Sequence, residues 1–333
     1  MVTDKPEDAS PKGEHARLDD HSVPIFEGGK SRRHVRQSVS RFRAISVWSA
    51  FRYRAALKDL RTFVQFAGWP RSGHSLVGAL IDAHPHAAIA HELDTMGLFR
   101  KGIPADRLPA LCLANAAAFT AAGRHWNGFC YAVPGASHGP AKTLHVVGDK
   151  KGDWATRWSA EDPALVSRLA CQSRLDCRWI LVTRHPLDNI STMSLRRGRA
   201  YDKLRISGEQ DMGTAIQSAQ QDGRIAAEVN DAMIADYCAL AASVAAMKTQ
   251  MPSEKWFEIT YETFTERPHE SLERLAAFLS LDPDPAWRDR AAALVKSDRN
   301  KSRHKLSWRD DQRERVAEVI AGHGFLSAYM DRT

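Results

Sequence analysis

Residues 62–84, Thr-Phe-Val-Gln-Phe-Ala-Gly-Trp-Pro-Arg-Ser-Gly-His-Ser-Leu-Val-Gly-Ala-Leu-Ile-Asp-Ala-His, restrict the fold more than any other part of the chain. Phe63 to Ala67 is mostly apolar and rich in strand formers, which predicts a buried strand. Gly68 to Ser75 is a tight loop bounded by glycines, and Ser75 to His84 carries apolar residues at helical spacing. Strand, glycine loop and helix together present backbone N–H groups and a helix N-terminus to a phosphate. The spacing is that of a Walker-type loop, but His74 stands where such a loop has the lysine that neutralises a nucleoside triphosphate. With Arg71 three residues earlier, the loop is suited to a nucleotide carrying a different anionic group, and it points away from ATP.

The chain has 333 residues, enough for one large α/β domain with additions. Its 47 Lys and Arg against 40 Asp and Glu give a net charge of +7, consistent with an anionic ligand or with a solvated basic surface. Zinc-finger spacing, an aromatic-basic RNA motif and a helix-turn-helix pattern are all missing, so no nucleic-acid partner is expected. Cys112, Cys130, Cys171, Cys177 and Cys238 form no C-x-x-C pair, which fits a reducing compartment. No apolar run approaches the roughly 20 residues of a membrane span, and no secretory signal is evident; the expected location is the cytoplasm. Residues 1–44 read as a disordered basic leader, solvated or touching a membrane surface or an acidic partner, and 45–333 as a single α/β domain.

Beyond the glycine loop, short apolar runs alternate with helical stretches. Strands are expected at 86–90, 144–148, 179–183 and 256–260. Helices are expected at 46–60, 104–123, 162–174, 188–198, 269–280, 284–295 and 309–321, with one long alanine-rich helix over 212–250. In that helix Ile216, Ile225, Val229, Met233 and Leu240 are expected to pack into a core rather than form a dimer seam. The pattern predicts a P-loop-like central parallel β-sheet flanked by helices on both faces. Ligands bind such sheets at the carboxyl ends of strands. Arg71-Ser72-Gly73, Asp149-Lys150 and Arg184 each follow a predicted strand, so they are expected to converge on one anion site. Ser191, Thr192 and Ser194 lie on the first turns of the next helix.

Gly68-Trp-Pro-Arg-Ser-Gly-His-Ser-Leu76 resembles the 5′-phosphosulfate loop of sulfotransferases, and Leu80-Ile-Asp-Ala-His-Pro85 resembles the helix end that follows it. Arg184-His-Pro-Leu-Asp188 resembles the 3′-phosphate motif of that family, with Thr192 at its eighth position and Ser191 beside it. Gly148-Asp-Lys150 is similar to the strand end of the bacterial and tyrosylprotein branches. Ile259-Thr-Tyr-Glu-Thr-Phe264, with Pro268 and Phe278-Leu-Ser-Leu281, is similar to a further family segment. These matches run in family order from about 62 to 281.

The resemblance implies transfer of a sulfuryl group from 3′-phosphoadenylyl sulfate (PAPS) to a hydroxyl or amine acceptor, with no metal. Arg71 would stabilise the departing phosphate, and Ser72, Gly73, His74 and Ser75 would cradle the 5′-phosphate. Arg184, Ser191 and Thr192 would hold the 3′-phosphate, and Lys150 would neutralise the group in transfer. Arg303 and Lys305, in the basic run 299–305, sit where the family carries a loop that closes over the 3′-phosphate. Glu92 is the expected general base, with a pKa raised by a desolvated cleft; His91 is the alternative. The acceptor (carbohydrate, lipid, peptide or small molecule) is not legible, because the expected acceptor loops at 95–143 and 197–215 carry no readable motif. The competing readings are a degenerate P-loop kinase and a nucleotide-binding protein without turnover.

Overall fold

The computed structural model describes residues 32–126, 129–136, 143–198, 212–296 and 301–332. Its centre is a five-stranded, all-parallel sheet: β1 (Thr62–Ala67), β2 (Ala87–Ala90), β5 (Val146–Asp149), β6 (Asp176–Thr183) and β7 (Trp256–Thr260). The order across the sheet is β2-β5-β1-β6-β7. Two further strands of two residues, β3 (His125–Trp126) and β4 (Phe129–Cys130), form a separate antiparallel pair.

Alternation along each strand sorts side chains onto two apolar cores. Phe63, Trp179, Leu181 and Val147 face one, while Val64, Phe66, Ile180, Val182 and Val146 face the other. The first core is covered by α1 (Arg32–Arg52), α3 (Thr95–Arg100), α4 (Leu108–Ala121), α5 (Gly152–Glu161), α6 (Leu165–Ser173), α7 (Pro186–Arg197), α8 (Met212–Gln221), α9 (Asp231–Lys248) and α13 (Asp310–Gly322). The second is covered by α2 (His74–Asp82), α10 (Tyr261–Glu266), α11 (Pro268–Leu279) and α12 (Pro285–Leu294). The expected sheet with helices on both faces is present.

Several boundaries differ from expectation. The alanine-rich stretch at 212–250 is two helices, α8 and α9, separated at 222–230. Gly223 adopts φ +65° after α8, and the Asn230 side chain accepts the Ala232 N–H to start α9. Ile216, Ile225, Val229 and Leu240 are buried in the first core, as expected for packing residues. Helices α3, α5 and α10 were not anticipated. The helix expected at 46–60 instead runs Arg32–Arg52, overlapping the expected leader at 32–44; residues 1–31 lie outside the described residues.

Gly148 shows why the strands can pack so closely. It sits between Val64 and Ile89 in the sheet, and a Cβ placed on it would run into the Val64 carbonyl. Gly148→Ala is therefore expected to destabilise the protein by about 1–3 kcal/mol, read as a lower urea midpoint at unchanged slope.

Candidate active site

β1 lies between β5 and β6, so the chain ends that follow these three strands meet at one edge of the sheet. The loop after β1 is held from beneath. Trp69 is buried, stacks on Tyr237 of α9 at 4.8 Å, and donates its indole N–H to the Tyr237 carbonyl at 2.9 Å. Ser72 Oγ donates to the Trp69 carbonyl at 2.9 Å, and the Gly68 N–H donates to Thr156 Oγ1 of α5 at 2.8 Å. Arg71 adopts φ +70° and Gly73 φ +113°. A Cβ on Gly73 would lie 2.6 Å from the Tyr261 ring, so this position has no room for a side chain. The N–H groups of Ser72, Gly73, His74 and Ser75 donate to no protein acceptor among the described residues. They form a nest at the N-terminus of α2.

The His74 ring turns under this loop instead of out of it. It lies 5.4 Å from Phe66, and Gly152 at the start of α5 leaves it space: a Cβ there would be 2.5 Å from the ring. Burial pulls the imidazole down to a pKa of about 4, so it is neutral. Its Nε2 is buried without a partner among the described residues. The His74 backbone N–H is part of the nest.

On the β5 side, a line of charge runs inward from the loop. Lys150 Nζ donates to Ser75 Oγ at 2.7 Å and pairs with Glu92 Oε1. Lys151 Nζ pairs with Glu92 Oε2 and lies 3.6 Å from Asp153. Glu92 is only 8 % exposed. Burial pushes its carboxyl upward, but the two ammonium groups outweigh that and hold it well below the usual carboxylate range. This corrects the expectation of a raised pKa, which counted desolvation and not the lysines. His91 stacks on Phe119 at 4.0 Å and meets Trp126 edge-on at 5.4 Å; burial keeps it neutral.

Two neighbouring carboxyls behave oppositely. Asp149 accepts the Thr95 N–H at 2.8 Å and the Lys151 N–H at 3.2 Å, and burial raises it to about 6. Asp94 caps α3 by accepting the Gly97 N–H at 3.1 Å, takes the Trp158 indole N–H at 3.0 Å, and is raised by burial to about 7. These contacts fix the segment 92–95, in which Glu92 and Asp94 both adopt positive φ near 60°.

Tyr131 lies beside the site, and burial pushes its hydroxyl pKa up. It is carried by Arg124, whose Nε donates to the Tyr131 carbonyl at 3.0 Å and whose Nη1 pairs with Asp82 at 2.7 Å. Asp82 in turn accepts the Ile89 N–H at 2.7 Å, so the Leu80–Pro85 helix end is a structural anchor.

On the β6 side, Arg184 Nη1 donates to the Arg71 carbonyl at 3.2 Å and to Thr192 Oγ1 at 3.3 Å, and its guanidinium lies 5.8 Å from the centre of the Tyr261 ring. Thr192 Oγ1 is 3.0 Å from Ser302 Oγ. The Arg303 N–H donates to Asp188 at 2.8 Å, docking the turn at 302–305 onto the start of α7. Ser191 is fully buried and accepts the Trp308 indole N–H at 3.2 Å. Lys305 meets Gln220 through its carbonyl at 2.6 Å. Ser194 accepts the Asn230 N–H at 3.2 Å. Arg299, in the same basic run, lies outside the described residues, as do 127–128, 137–142 and 199–211 of the expected acceptor loops.

A cleft of about 470 Å³ opens beside Asp153, walled also by Trp154, Arg157, Arg197, Met233 and Asp236. Arg157 grips Asp236 at two points, 2.6 and 2.7 Å apart. Among the described residues no group of His, Cys, Asp and Glu is arranged to hold a metal ion.

The sheet order and the strand, loop and helix at β1 and α2 define a P-loop-like α/β fold. No family model matches the chain, and no curated protein matches it. Solved structures to which it is similar are sulfotransferases. The sulfotransferase STF9 from Mycobacterium avium is 11 % identical, over 91 % of this chain and 88 % of that one, with a TM-score of 0.47. A sulfotransferase from Alicyclobacillus acidocaldarius is 16 % identical over 82 % and 96 %, with a TM-score of 0.39. Mouse sulfotransferase SULT7A1, solved in complex with PAP, is 16 % identical over 80 % and 83 %, with a TM-score of 0.37.

Asp94→Asn tests the raised carboxyl. Oδ1 accepts both the Gly97 and Trp158 N–H groups, so an amide keeps these bonds. A folded pKa raised to about 7 means that stability is fully present below the unfolded value and is lost as pH rises through 7. The variant should therefore out-melt the parent by a larger margin at pH 8 than at pH 5, measured by calorimetry.

Proposed function

We propose that this protein is a sulfotransferase that uses 3′-phosphoadenylyl sulfate and passes its sulfuryl group to a hydroxyl or amine by in-line displacement. The observation that carries the reading is the contact of Arg184 with the Arg71 carbonyl at 3.2 Å. Two cationic strand ends thus lie side by side, one at the nest and one at the start of α7. The residues fit the donor: four unpaired N–H groups and Arg71 suit its 5′-phosphosulfate, and Arg184 with Thr192 suits its 3′-phosphate. Arg303 and Lys305 belong to the turn beside that second position. When bound, the donor supplies the sulfuryl group and leaves as adenosine 3′,5′-bisphosphate (PAP).

The chain's own residues then have separate tasks. The nest and Arg71 hold and neutralise the departing phosphate. Lys150, already 2.7 Å from Ser75, lies on the rim where negative charge gathers during transfer. Glu92 takes the acceptor proton, and His91, the alternative, is neutral and enclosed by aromatic rings. A depressed carboxyl is a weak base, so Glu92 gains basicity only as an anion in the nest draws Lys150 away from it. The kinase reading would need a cation at position 74, where a buried neutral imidazole stands. We assign residues 45–333 to one catalytic domain, with the acceptor entering beside Glu92.

Three measurements bear on this. PAP, at about a hundredfold over its Kd, should raise the melting temperature by about 5 °C, and ATP with magnesium should do clearly less. A larger shift with magnesium–ATP would favour the kinase reading. Arg184→Met should abolish the PAP shift. Glu92→Gln should cut turnover at least about a hundredfold while keeping that shift; unchanged turnover would move the proton acceptor elsewhere. A PAP shift with no acceptor sulfated in a radiolabel screen across carbohydrates, lipids, peptides and small alcohols would leave a binding protein.

A further inference from the structure

The chain's net charge of +7 is concentrated in one place. Residues 28–58 contain nine Lys and Arg and no Asp or Glu, so +7 less these nine leaves −2 for all the rest. Much of this stretch is helix α1, whose described side chains pack by one stripe. Phe42, Ser46 and Ser49 are buried, and Ile45 and Tyr53 pack against the first core. These positions recur at the spacing of a single helix face.

The opposite face exposes Val47 at 53 % and Phe51 at 67 %, one turn apart. Among the described residues only Phe129 and Met330 are comparably exposed large apolar side chains. Arg41, Arg43, Arg52 and Arg54 surround the pair and are themselves exposed. None of the four takes part in an ion pair among the described residues. The Arg54 guanidinium lies 4.6 Å from the centre of the Phe51 ring.

We propose that this face of α1 docks on the surface of an anionic lipid bilayer, with Val47 and Phe51 entering the headgroup–acyl boundary and the four arginines meeting lipid phosphates. A solvated basic helix has no use for an apolar centre, and a nucleic acid would engage the arginines while gaining little from Val47 and Phe51. An amphipathic face that is apolar in the middle and cationic at the rim fits an interface whose own polarity changes over a few ångströms. No described helix is long and apolar enough to cross a membrane, so α1 lies on the surface instead of spanning it. The proposal does not depend on the reading of the active site.

The test is flotation of the full chain with lipid vesicles. One set is phosphatidylcholine alone; the other contains about 30 % phosphatidylserine, each at about 0.1 and 0.5 M salt. Binding is expected on the anionic vesicles only, weakening at the higher salt. A Val47→Ser/Phe51→Ser double variant and an Arg41→Gln/Arg43→Gln/Arg52→Gln/Arg54→Gln variant should each lose at least about tenfold in partitioning. Met330→Ser should bind like the parent, and unchanged melting curves should show that the variants fold. Equal flotation of the double serine variant and the parent, or no preference for anionic vesicles, would overturn the proposal. So would tighter binding to a random-sequence DNA duplex at equal ionic strength that the double serine variant retains.

Discussion

A strand with no free edge sets the arrangement of everything else. β1 is paired along its length to β6 on one side and over Thr62–Gln65 to β5 on the other, and every residue from Thr62 to Trp69 is buried. The chain visits β2 and β5 on one side of it before crossing to β6. The loop after β1 is therefore flanked by Lys150 from one neighbour and Arg184 from the other. Glycines permit the close approach: the atoms of Val64, His74 and Tyr261 lie where a Cβ on Gly148, Gly152 or Gly73 would have to sit. Side chains at those points would push apart the three elements whose ends make the site.

That much was readable in sequence because parallel strands buried on both faces appear as continuous apolar runs. Trp179 to Thr183 and Phe63 to Ala67 needed no tertiary information. Helix α5 was hidden by its Gly-Asp start and the charged residues along Gly152–Glu161, whose role is to bring Thr156 and Gly152 against the loop. The division of 212–250 was masked by alanines on both sides, although Gly223 and Asn230 were signals that could have revealed it. Lys151 and Tyr131 gave no spacing signal. Lys151 reaches Glu92 across a separation of 59 residues, and Tyr131 is placed by Arg124, links that only the folded chain can make.

The same tertiary information decides ionisation. Glu92, Asp94 and Asp149 share one buried neighbourhood, and desolvation presses all three carboxyls upward. Asp94 and Asp149 accept hydrogen bonds from neutral N–H groups, which offset burial only in part, so they rise to about 7 and about 6. Glu92 faces two ammonium groups and moves the other way. Such environments drive the ionisation of neighbouring carboxyls apart within one site. Here Glu92 is held as an anion at the end of the lysine line, while Asp149 and Asp94 titrate near neutral pH. Removing either lysine would leave that anion partly uncompensated in the interior, a strongly destabilising change.

Charge on the rest of the molecule contributes little to this. With residues 28–58 set aside, the chain carries −2, so no broad positive field draws anions toward the sheet edge. At physiological salt the cations of α1 are screened within about 8–10 Å. In the proposed reading, affinity for an anion at the loop comes from short-range groups: the N–H nest, Arg71 and Arg184, and Lys150 within reach of Ser75. Contacts of that kind are selective for the shape and spacing of the anion more than for its total charge.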